Sequence, residues 1–341
     1  MSVSQASRPV LPSAMNAPES SEFPRVPGSI RRTSHVDMIF GALGLGIHGR
    51  ARDLATFTEG HHVVDEAEMS ALLDPTKSLV HLESIPERPL HSLLGRLVGS
   101  GFRDAVQQAV PDDVAQCSAL ALLLDDLPVA ALISGYTLLY TDSIPGAVHA
   151  NSVKADICSG WRTGGTMMAS IGEYGRIPVP AGPVAPPMDT GGDPLGWHTL
   201  EPLGPSAMRR RRMVDITVGP TLAVRAMFRD THSDTAGTET VLHEYSLTAT
   251  IDAATSRFIT CDAIPRVLPW VECPVAAASA TRLVGHHVAE VRSLVRSDLR
   301  GTSTCTHLND LIRSLGDVDA LAAAYAAREA VTGSPSRHPR R

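Results

Sequence analysis

A cysteine flanked by glycines is the first feature of the sequence that could support chemistry. Cys158 lies in the stretch DICSGWRTGGT at residues 156–166, and His198 follows Trp197 farther along the chain. A thiolate becomes a good nucleophile when a nearby cation or helix N-terminus lowers the pKa of the thiol. Cysteine, histidine and an orienting carboxylate form a common nucleophilic set, and the same groups can perform acid–base chemistry. We therefore predict a catalytic set of Cys158, His198 and Asp156, with a buried, inert cysteine as the alternative.

The same segment also supplies residues for binding a substrate. Trp161 and Trp197 would form an apolar wall, Arg162 would contact the substrate or lower the pKa of the thiol, and Asp193 could replace Asp156. The sequence contains no phosphate-binding loop, no G-x-S-x-G elbow and no H-E-x-x-H motif. We predict a cofactor-independent lyase, of hydratase or dehydratase type, that acts on a small apolar molecule, and hydrolysis is nearly as well supported.

A second set of residues is suited to binding a metal. Cys273, Cys305 and His307 offer sulfur and imidazole ligands, which suit zinc or an iron–sulfur cluster. A fourth ligand could come from His243, Asp262 or Glu272. This set supports an alternative function, a metal- or cluster-binding protein, and the thiols could equally be small core residues. A non-catalytic binding protein is the third alternative.

We predict that the chain contains two copies of one unit, because short motifs recur in the same order. Asp37 and Asp215 each follow a pair of arginines and lie 178 positions apart, and Cys117 and Cys305 each precede an apolar helical stretch. Repeated motifs in one order indicate an internal duplication. The predicted units are residues 29–148 and 208–332, and residues 149–207 form a Gly- and Pro-rich loop between them. Residues 1–28 and 333–341 are predicted to be disordered tails.

Each unit is predicted to contain strands followed by helices, which indicates an α+β fold with an antiparallel sheet. The turn at 74–78 (DPTKS) has a counterpart at 252–256 (DAATS). Helices are expected at 90–109, 115–124, 274–295 and 305–315. The arginine runs at 31–32 and 209–212 are expected to lie at a solvated sheet edge, where charge discourages edge pairing, or to bind an anion.

Composition narrows the range of functions. The 341 residues carry a formal net charge of −6, which argues against a general nucleic-acid binder or a polybasic membrane anchor. The five cysteines are widely spaced and odd in number, so a disulfide framework is not expected. We expect no signal peptide, because no charged start followed by an apolar run appears near Met1, and the most apolar stretch contains charges and a proline. We predict a cytoplasmic protein that binds a small molecule and no nucleic acid or membrane.

The second unit resembles the iron–sulfur cluster assembly scaffold of the IscU/NifU type. The resemblance covers residues 242–315 and rests on a strand pair, the stretch ECPVAAASA at 272–280 and the stretch TCT at 304–306. It implies a scaffold-like α+β fold in which Cys273 and Cys305 occupy two of the family's cysteine positions. The family's first cysteine has no counterpart here.

The chain from residue 31 to residue 321 also resembles an uncharacterised bacterial family known only as a domain of unknown function. The motifs that carry this resemblance are the arginine pair before Val-Asp, DICSGWR at 156–162 and CTHL at 305–308. The resemblance implies no established activity.

Overall fold

Two four-stranded antiparallel meanders form the centre of the molecule. The computed structural model describes residues 9–19, 23–141, 143, 153–188 and 192–332. The strands of the first meander are β3 (Ser29–Gly41), β4 (Gly44–Phe57), β5 (Gly60–Leu73) and β6 (Leu79–Ile85). The strands of the second are β8 (Ala207–Thr217), β9 (Thr221–Ser233), β10 (Glu239–Asp252) and β11 (Arg257–Leu268). Three short strands complete the set, β1 (Val10–Pro12), β2 (Ala14–Met15) and β7 (Val179–Ala181).

The meanders join through their first strands into one sheet. Within the described residues it has nine antiparallel strands in the order β2-β11-β10-β9-β8-β3-β4-β5-β6. The pairing of β3 with β8 runs from Ser29 opposite Thr217 to Ile39 opposite Ala207 without a bulge. A separate parallel pair joins β1 to β7. The large antiparallel sheet with accompanying helices confirms the predicted α+β class.

The turns within the meanders follow the predicted chemistry. Asp74 accepts hydrogen bonds from the backbone N–H groups of Thr76 and Ser78. Asp252 accepts corresponding bonds from Ala254 and Thr255. An aspartate that bonds to N–H groups two to four residues ahead closes such a turn locally. The predicted turns at 74–78 and 252–256 are therefore confirmed.

Helices cover one face of the sheet. The α-helices are α1 (Phe102–Ala109), α2 (Pro111–Ala115), α3 (Ala119–Ile133), α4 (Gly135–Tyr140), α5 (Thr166–Tyr174), α6 (Val291–Ser297), α7 (Thr306–Ser314) and α8 (Val318–Thr332). Helix α3 packs against β3, β4 and β5 and forms the core of the first half. In the second half, 3-10 helices together with α7 and α8 cover the sheet.

Three predicted helices are wrong in type or extent. The helix predicted at 115–124 is α3, which begins at Ala119 and continues to Ile133. The segment 90–109 contains a 3-10 turn at Leu90–Leu93 and only then α1, because Gly95 and Gly101 have left-handed backbone with φ of 75° and 82°. The segment 274–295 is a 3-10 helix at Cys273–Leu283, a break at Gly285 (φ 84°), and then α6. The helix predicted at 305–315 is confirmed as α7.

The stretch Ala119–Tyr140 is the one helical segment in the described part of the chain that is long and apolar enough to cross a membrane. Its most apolar window is 72% buried inside the protein, as is typical of a core helix. Ser118 caps its start by accepting a hydrogen bond from the Ala121 backbone N–H.

The register of the central strands defines two faces of the sheet. Arg32 lies opposite Val214 on the side that α8 and the Cys117 carbonyl occupy, which we call the helix face. Thr33 and Met213 lie on the other side, the loop face, because side chains alternate along a strand. Segments 23–27 and 192–204 cover the loop face near the centre, where Phe23 and Trp197 pack on Met213.

The predicted disordered tail at residues 1–28 is partly wrong. Residues 10–12 and 14–15 form β1 and β2, and Phe23 is buried. Glu19 is also buried, where its carboxylate pairs with Arg266 at 2.7 Å. Residues 1–8 and 20–22, and the predicted tail at 333–341, lie outside the described residues.

The arginine runs do not lie at a solvated edge. They occupy β3 and β8, the two central strands, where the side chains of Arg31, Arg32, Arg209, Arg210 and Arg212 are no more than 2% exposed. Each pairs with a carboxylate; Arg32, for example, donates to both oxygens of Asp53 at 2.7 and 2.6 Å. A buried guanidinium is tolerated only with such a counterion, so the prediction of an exposed arginine edge is wrong.

Replacing Asp53 with alanine should destabilise the fold strongly, because it removes the closest counterion of the buried Arg32. We expect the free energy of unfolding to fall by about 3 kcal/mol or more. The matched control is Asp104→Ala, since Asp104 pairs with Arg296 while both side chains are more than half exposed; it should cost less than about 1 kcal/mol. Urea denaturation of both variants measures this, and equal losses would contradict the prediction.

Candidate functional site

On the helix face of the sheet, a carboxylate and an imidazole lie opposite each other on neighbouring strands. Asp230 of β9 lies opposite His243 of β10, and both side chains are buried. The register shifts between Val241 and His243, which leaves Leu242 as an extra residue on β10. A β-bulge of this kind re-aims the side chains beside it and is common next to functional sites. Here it brings His243 Nδ1 within 3.2 Å of Asp230 Oδ2.

The third member of the cluster comes from a helix. His307 lies in the first turn of α7 and stacks on His243, with ring centroids 3.7 Å apart. One donor atom from each of Asp230, His243 and His307 lies within 4.8 Å of the others. Among the described residues, this is the one group of three or more His, Cys, Asp or Glu side chains that meets this limit. Tyr136 packs edge-on against His243 at 5.3 Å.

Both histidines present ring nitrogens without a hydrogen-bond partner. His243 is 1% exposed; its Nδ1 faces Asp230 Oδ2 at 3.2 Å, whereas its Nε2 has no hydrogen-bond partner within the described part of the chain, and the same holds for His307 Nε2. Burial lowers the pKa of His307 well below its usual value, so this imidazole is neutral and has a lone pair available. Buried polar atoms are normally satisfied, so these nitrogens require an explanation.

Arg210 holds the carboxylate of this cluster in place. It donates to both oxygens of Asp230, at 2.7 and 2.9 Å, and its third nitrogen lies 3.4 Å from Asp310 on α7. Burial alone would raise the pKa of Asp230, but the attraction of Arg210 outweighs it and lowers the pKa below the usual value. Asp230 is therefore ionised.

Three buried thiols adjoin the cluster. Cys305 Sγ lies 3.8 Å from His307 Nδ1. Burial, helped by the nearby Cys158, raises the pKa of Cys305 to about 11 against the lowering effect of the backbone N–H groups of Leu308 and His307. The pKa of Cys273 is raised by burial and then by Cys305 and Cys158. The three thiols are therefore neighbours, but they are spaced more widely than the three donors described above.

The predicted catalytic set is not brought together. Cys158 lies with Cys273 and Cys305 on the helix face, beside Tyr245. His198 lies on the loop face, where its Nδ1 bonds to Thr33 and its Nε2 to His35. The sheet separates the two side chains, so Cys158 and His198 cannot act as nucleophile and base on one substrate. This corrects the pairing expected from the sequence.

The remaining predicted residues are also divided. Asp156 is exposed and bonds to the backbone N–H and hydroxyl of Thr163, which closes a local turn. Trp161 packs at the helix-face core, Arg162 is exposed, and Trp197 is buried on the loop face. The two tryptophans therefore do not share an apolar wall. Asp193, the alternative to Asp156, pairs with Arg25 at 2.6 Å.

The glycine beside Cys158 has a packing role. A Cβ added at Gly160 would lie 2.6 Å from Cys273 Sγ and 3.0 Å from Trp270. The absence of a side chain at Gly160 thus leaves room for the side chain of Cys273.

Part of the predicted metal set, unlike the catalytic set, is brought together in the structure. His307 and the suggested fourth ligand His243 are both in the cluster, and Cys305 adjoins it. Cys273 lies farther away, Asp262 is exposed, and Glu272 accepts bonds from the backbone and hydroxyl of Thr166 at the start of α5. Sequence reasoning missed Asp230 as a ligand.

Comparison with known proteins gives a family match but no function. Residues 208–321 match the family described as "Protein of unknown function (DUF2889)". The matched segment contains β8 to β11 and the helices up to the start of α8, and so all three donors. No curated protein and no solved structure matches the chain.

The histidine pair on the loop face makes stability depend on pH. Burial lowers the pKa of His35 to about 4, with Arg209, Arg211 and Arg50 acting in the same direction and Asp37 opposing them. Because the unfolded chain binds a proton near the usual value of about 6.5 and the folded chain does not, stability is complete above that pH. It is lost as the pH falls towards 4.

We expect His35→Gln to lessen the acid sensitivity of the protein. Between pH 7 and pH 4.5 the wild type should lose about 2 kcal/mol more of its free energy of unfolding than the variant does, after allowance for partial exposure. The exposed His61→Gln variant should lose as much as the wild type. Urea denaturation at the two pH values measures this, and an unchanged loss in His35→Gln would disprove the assignment.

Proposed function

We propose that this is a metal-binding protein whose centre is formed by Asp230, His243 and His307. The observation that carries the proposal is the pair of buried ring nitrogens, His243 Nε2 and His307 Nε2, which lack hydrogen-bond partners among the described residues while the Asp230 carboxylate lies beside them. A metal ion would satisfy these atoms. Two imidazoles and one carboxylate are ligands that zinc and ferrous iron commonly take in proteins.

Charge balance favours Cys305 as a fourth ligand. Asp230 is already neutralised by Arg210, so a divalent cation held only by Asp230 and two neutral imidazoles would leave excess positive charge in a buried place. A thiolate at Cys305, the thiol nearest to His307, would reduce that excess. Metal binding would displace the thiol proton, since the thiolate is the form that binds metal.

A single ion fits the spacing of the donors better than a cluster bound only by cysteine. Iron–sulfur clusters are normally held by several thiolates, whereas the three donors that lie within 4.8 Å of one another here are one carboxylate and two imidazoles. The iron–sulfur scaffold therefore stays a prediction from resemblance. The lyase hypothesis keeps no support from the pairing of Cys158 with His198.

We also interpret the two meanders as diverged copies of one unit. This interpretation is supported by matching ion pairs: Arg32 with Asp53 in the first half and Arg210 with Asp230 in the second. The two halves also place Cys117 two residues before α3 and Cys305 one residue before α7. A cytoplasmic location, predicted from the cysteine pattern, is compatible with five free thiols in the structure.

The first test is the metal content of untagged protein purified without chelator. We expect about one zinc or iron per chain, since one site is proposed, and elemental analysis measures it. In competition with a chromophoric chelator, His243→Ala should weaken zinc binding by more than about 100-fold. The reason is that loss of a side chain that binds the metal should lower the affinity more than loss of a residue that only supports a ligand.

His232→Ala is the matched control for that variant. His232 is a buried histidine on the same strand as Asp230, but it stacks on Tyr140 and lies outside the donor set. Its substitution should leave zinc affinity unchanged. A wild-type protein that takes up no zinc or ferrous iron under anaerobic conditions would end the proposal.

A second test concerns the thiol. Cys305→Ser should weaken zinc binding by at least about tenfold, because an alcohol is a poorer ligand than a thiolate. Cys261→Ser is the control, since Cys261 is buried on β11 and is not adjacent to the donors. Equal affinities in the two variants would leave Asp230, His243 and His307 as the ligands and exclude Cys305.

A further inference from the structure

A polar cavity lies on the loop face of the first meander, far from the proposed metal centre. Its volume is about 680 Å³, and strands β3 to β6 form its floor. Side chains from successive strands line it in register: His35 lies opposite Arg50, Arg50 opposite Glu68, and Glu68 opposite Ile85. Thr199 and Glu201 close one side. A sheet face lined by polar groups and left without a covering helix is suited to holding a ligand.

A chain of hydrogen bonds supports the floor of this cavity. Thr33 Oγ1 lies 2.8 Å from His198 Nδ1, and His198 Nε2 lies 2.6 Å from His35 Nδ1. His198 is 3% exposed, so its orientation is fixed by these contacts. His35 is part of the cavity lining, and its second ring nitrogen, Nε2, has no partner among the described residues.

The hydrogen-bond chain can run in either direction. If His35 donates from Nδ1 to His198, its Nε2 is an acceptor, and if His198 donates to His35, that Nε2 is a donor. The imidazoles remain neutral near pH 7, because burial lowers the pKa of both histidines and the arginines nearby add to the effect. His35 therefore offers a ligand a contact of either polarity without gaining charge.

The charges around the cavity disfavour anions. The lining contains the cations Arg50 and Arg88 and four glutamates, Glu68, Glu83, Glu87 and Glu201. Both arginines already pair with carboxylates: Arg50 contacts Glu66 and Glu68, and Arg88 contacts Asp113 at 2.8 Å. Among the lining side chains the four glutamates outnumber the two arginines, so the rim of the cavity is acidic and attracts cationic ligands, while Arg209 and Arg211 act on His35 at its floor.

We propose that this cavity binds a small polar molecule that is neutral or carries an ammonium group, such as an amino alcohol. His35 Nε2 makes the central contact, His198 is a positioning residue that fixes the His35 ring, and the glutamates at the rim attract the ammonium group. The site lies across the sheet from Asp230, His243 and His307, so it does not depend on the metal centre.

The test is an NMR titration of protein labelled with ¹⁵N in its histidine rings, with ethanolamine and inorganic phosphate as probes. Ethanolamine should shift the His35 ring nitrogens in a saturable manner, and phosphate should not. His35→Gln and His198→Gln should each weaken ethanolamine binding, the first by at least about tenfold, as expected when a direct hydrogen bond is lost. The remote His61→Gln variant should bind as the wild type does.

A substitution at the rim separates binding from folding. Glu83 is 74% exposed at its side chain, so Glu83→Gln should not disturb the structure. It should weaken ethanolamine binding by about threefold, as expected for one exposed charge, while the His35 and His198 ring resonances of the free protein stay in place. Absence of saturable shifts with ethanolamine, or tighter binding of phosphate than of ethanolamine, would overturn the proposal.

Discussion

Reciprocal arginine–aspartate pairs across the two central strands are the interaction on which the sheet depends. Arg31 of β3 pairs with Asp215 of β8 at 2.5 Å, and Arg209 of β8 pairs with Asp37 of β3 at 2.6 Å. Both guanidinium groups are buried, so each requires its carboxylate. A shift of the register by one residue would move every side chain to the other face and leave these charges unpaired. The pairs therefore specify how the two halves join.

The arginines on the opposite face attach the helices to the same two strands. Arg32 also donates to Asp317 at 2.8 Å, just before α8, and Arg210 reaches Asp310 on α7. Helix position is thus set by charge as well as by the aliphatic core. The cluster of Asp230, His243 and His307 depends on this arrangement, because Arg210 orients Asp230 while α7 supplies His307.

The order of strands and turns could be predicted from the sequence, since alternation and turn residues are local signals. The position of the arginines could not, because their counterions are remote: Arg209 pairs with Asp37, in the other half of the chain. A run of arginines read locally resembles an exposed edge. The 3-10 helix at Cys273–Leu283 was also missed, since its small residues resemble those of an α-helix.

For the candidate site, residue types were predicted better than their grouping. Cys158 and His198 lie in one segment of sequence, but that segment passes along both faces of the sheet and separates them. His243 and His307 were recognised as possible ligands by type. Asp230 was not, because its role depends on a bulge in the neighbouring strand that no local pattern indicates.

Comparison of the two halves shows why the donors occur on one side only. In the first half, Asp53 lies opposite Asp65, and Asp65 accepts a hydrogen bond from the backbone N–H of Ala119 at the start of α3. That arrangement satisfies a helix N-terminus with a carboxylate and needs no ligand.

In the second half, His243 occupies the place opposite Asp230, and His307 lies in the first turn of the helix. These histidines do not reproduce the bond that Asp65 makes, and they leave buried ring nitrogens unpartnered within the described residues. Such an exchange costs stability unless something else satisfies the nitrogens. The difference between the halves is therefore better explained by a bound ion than by the requirements of the fold.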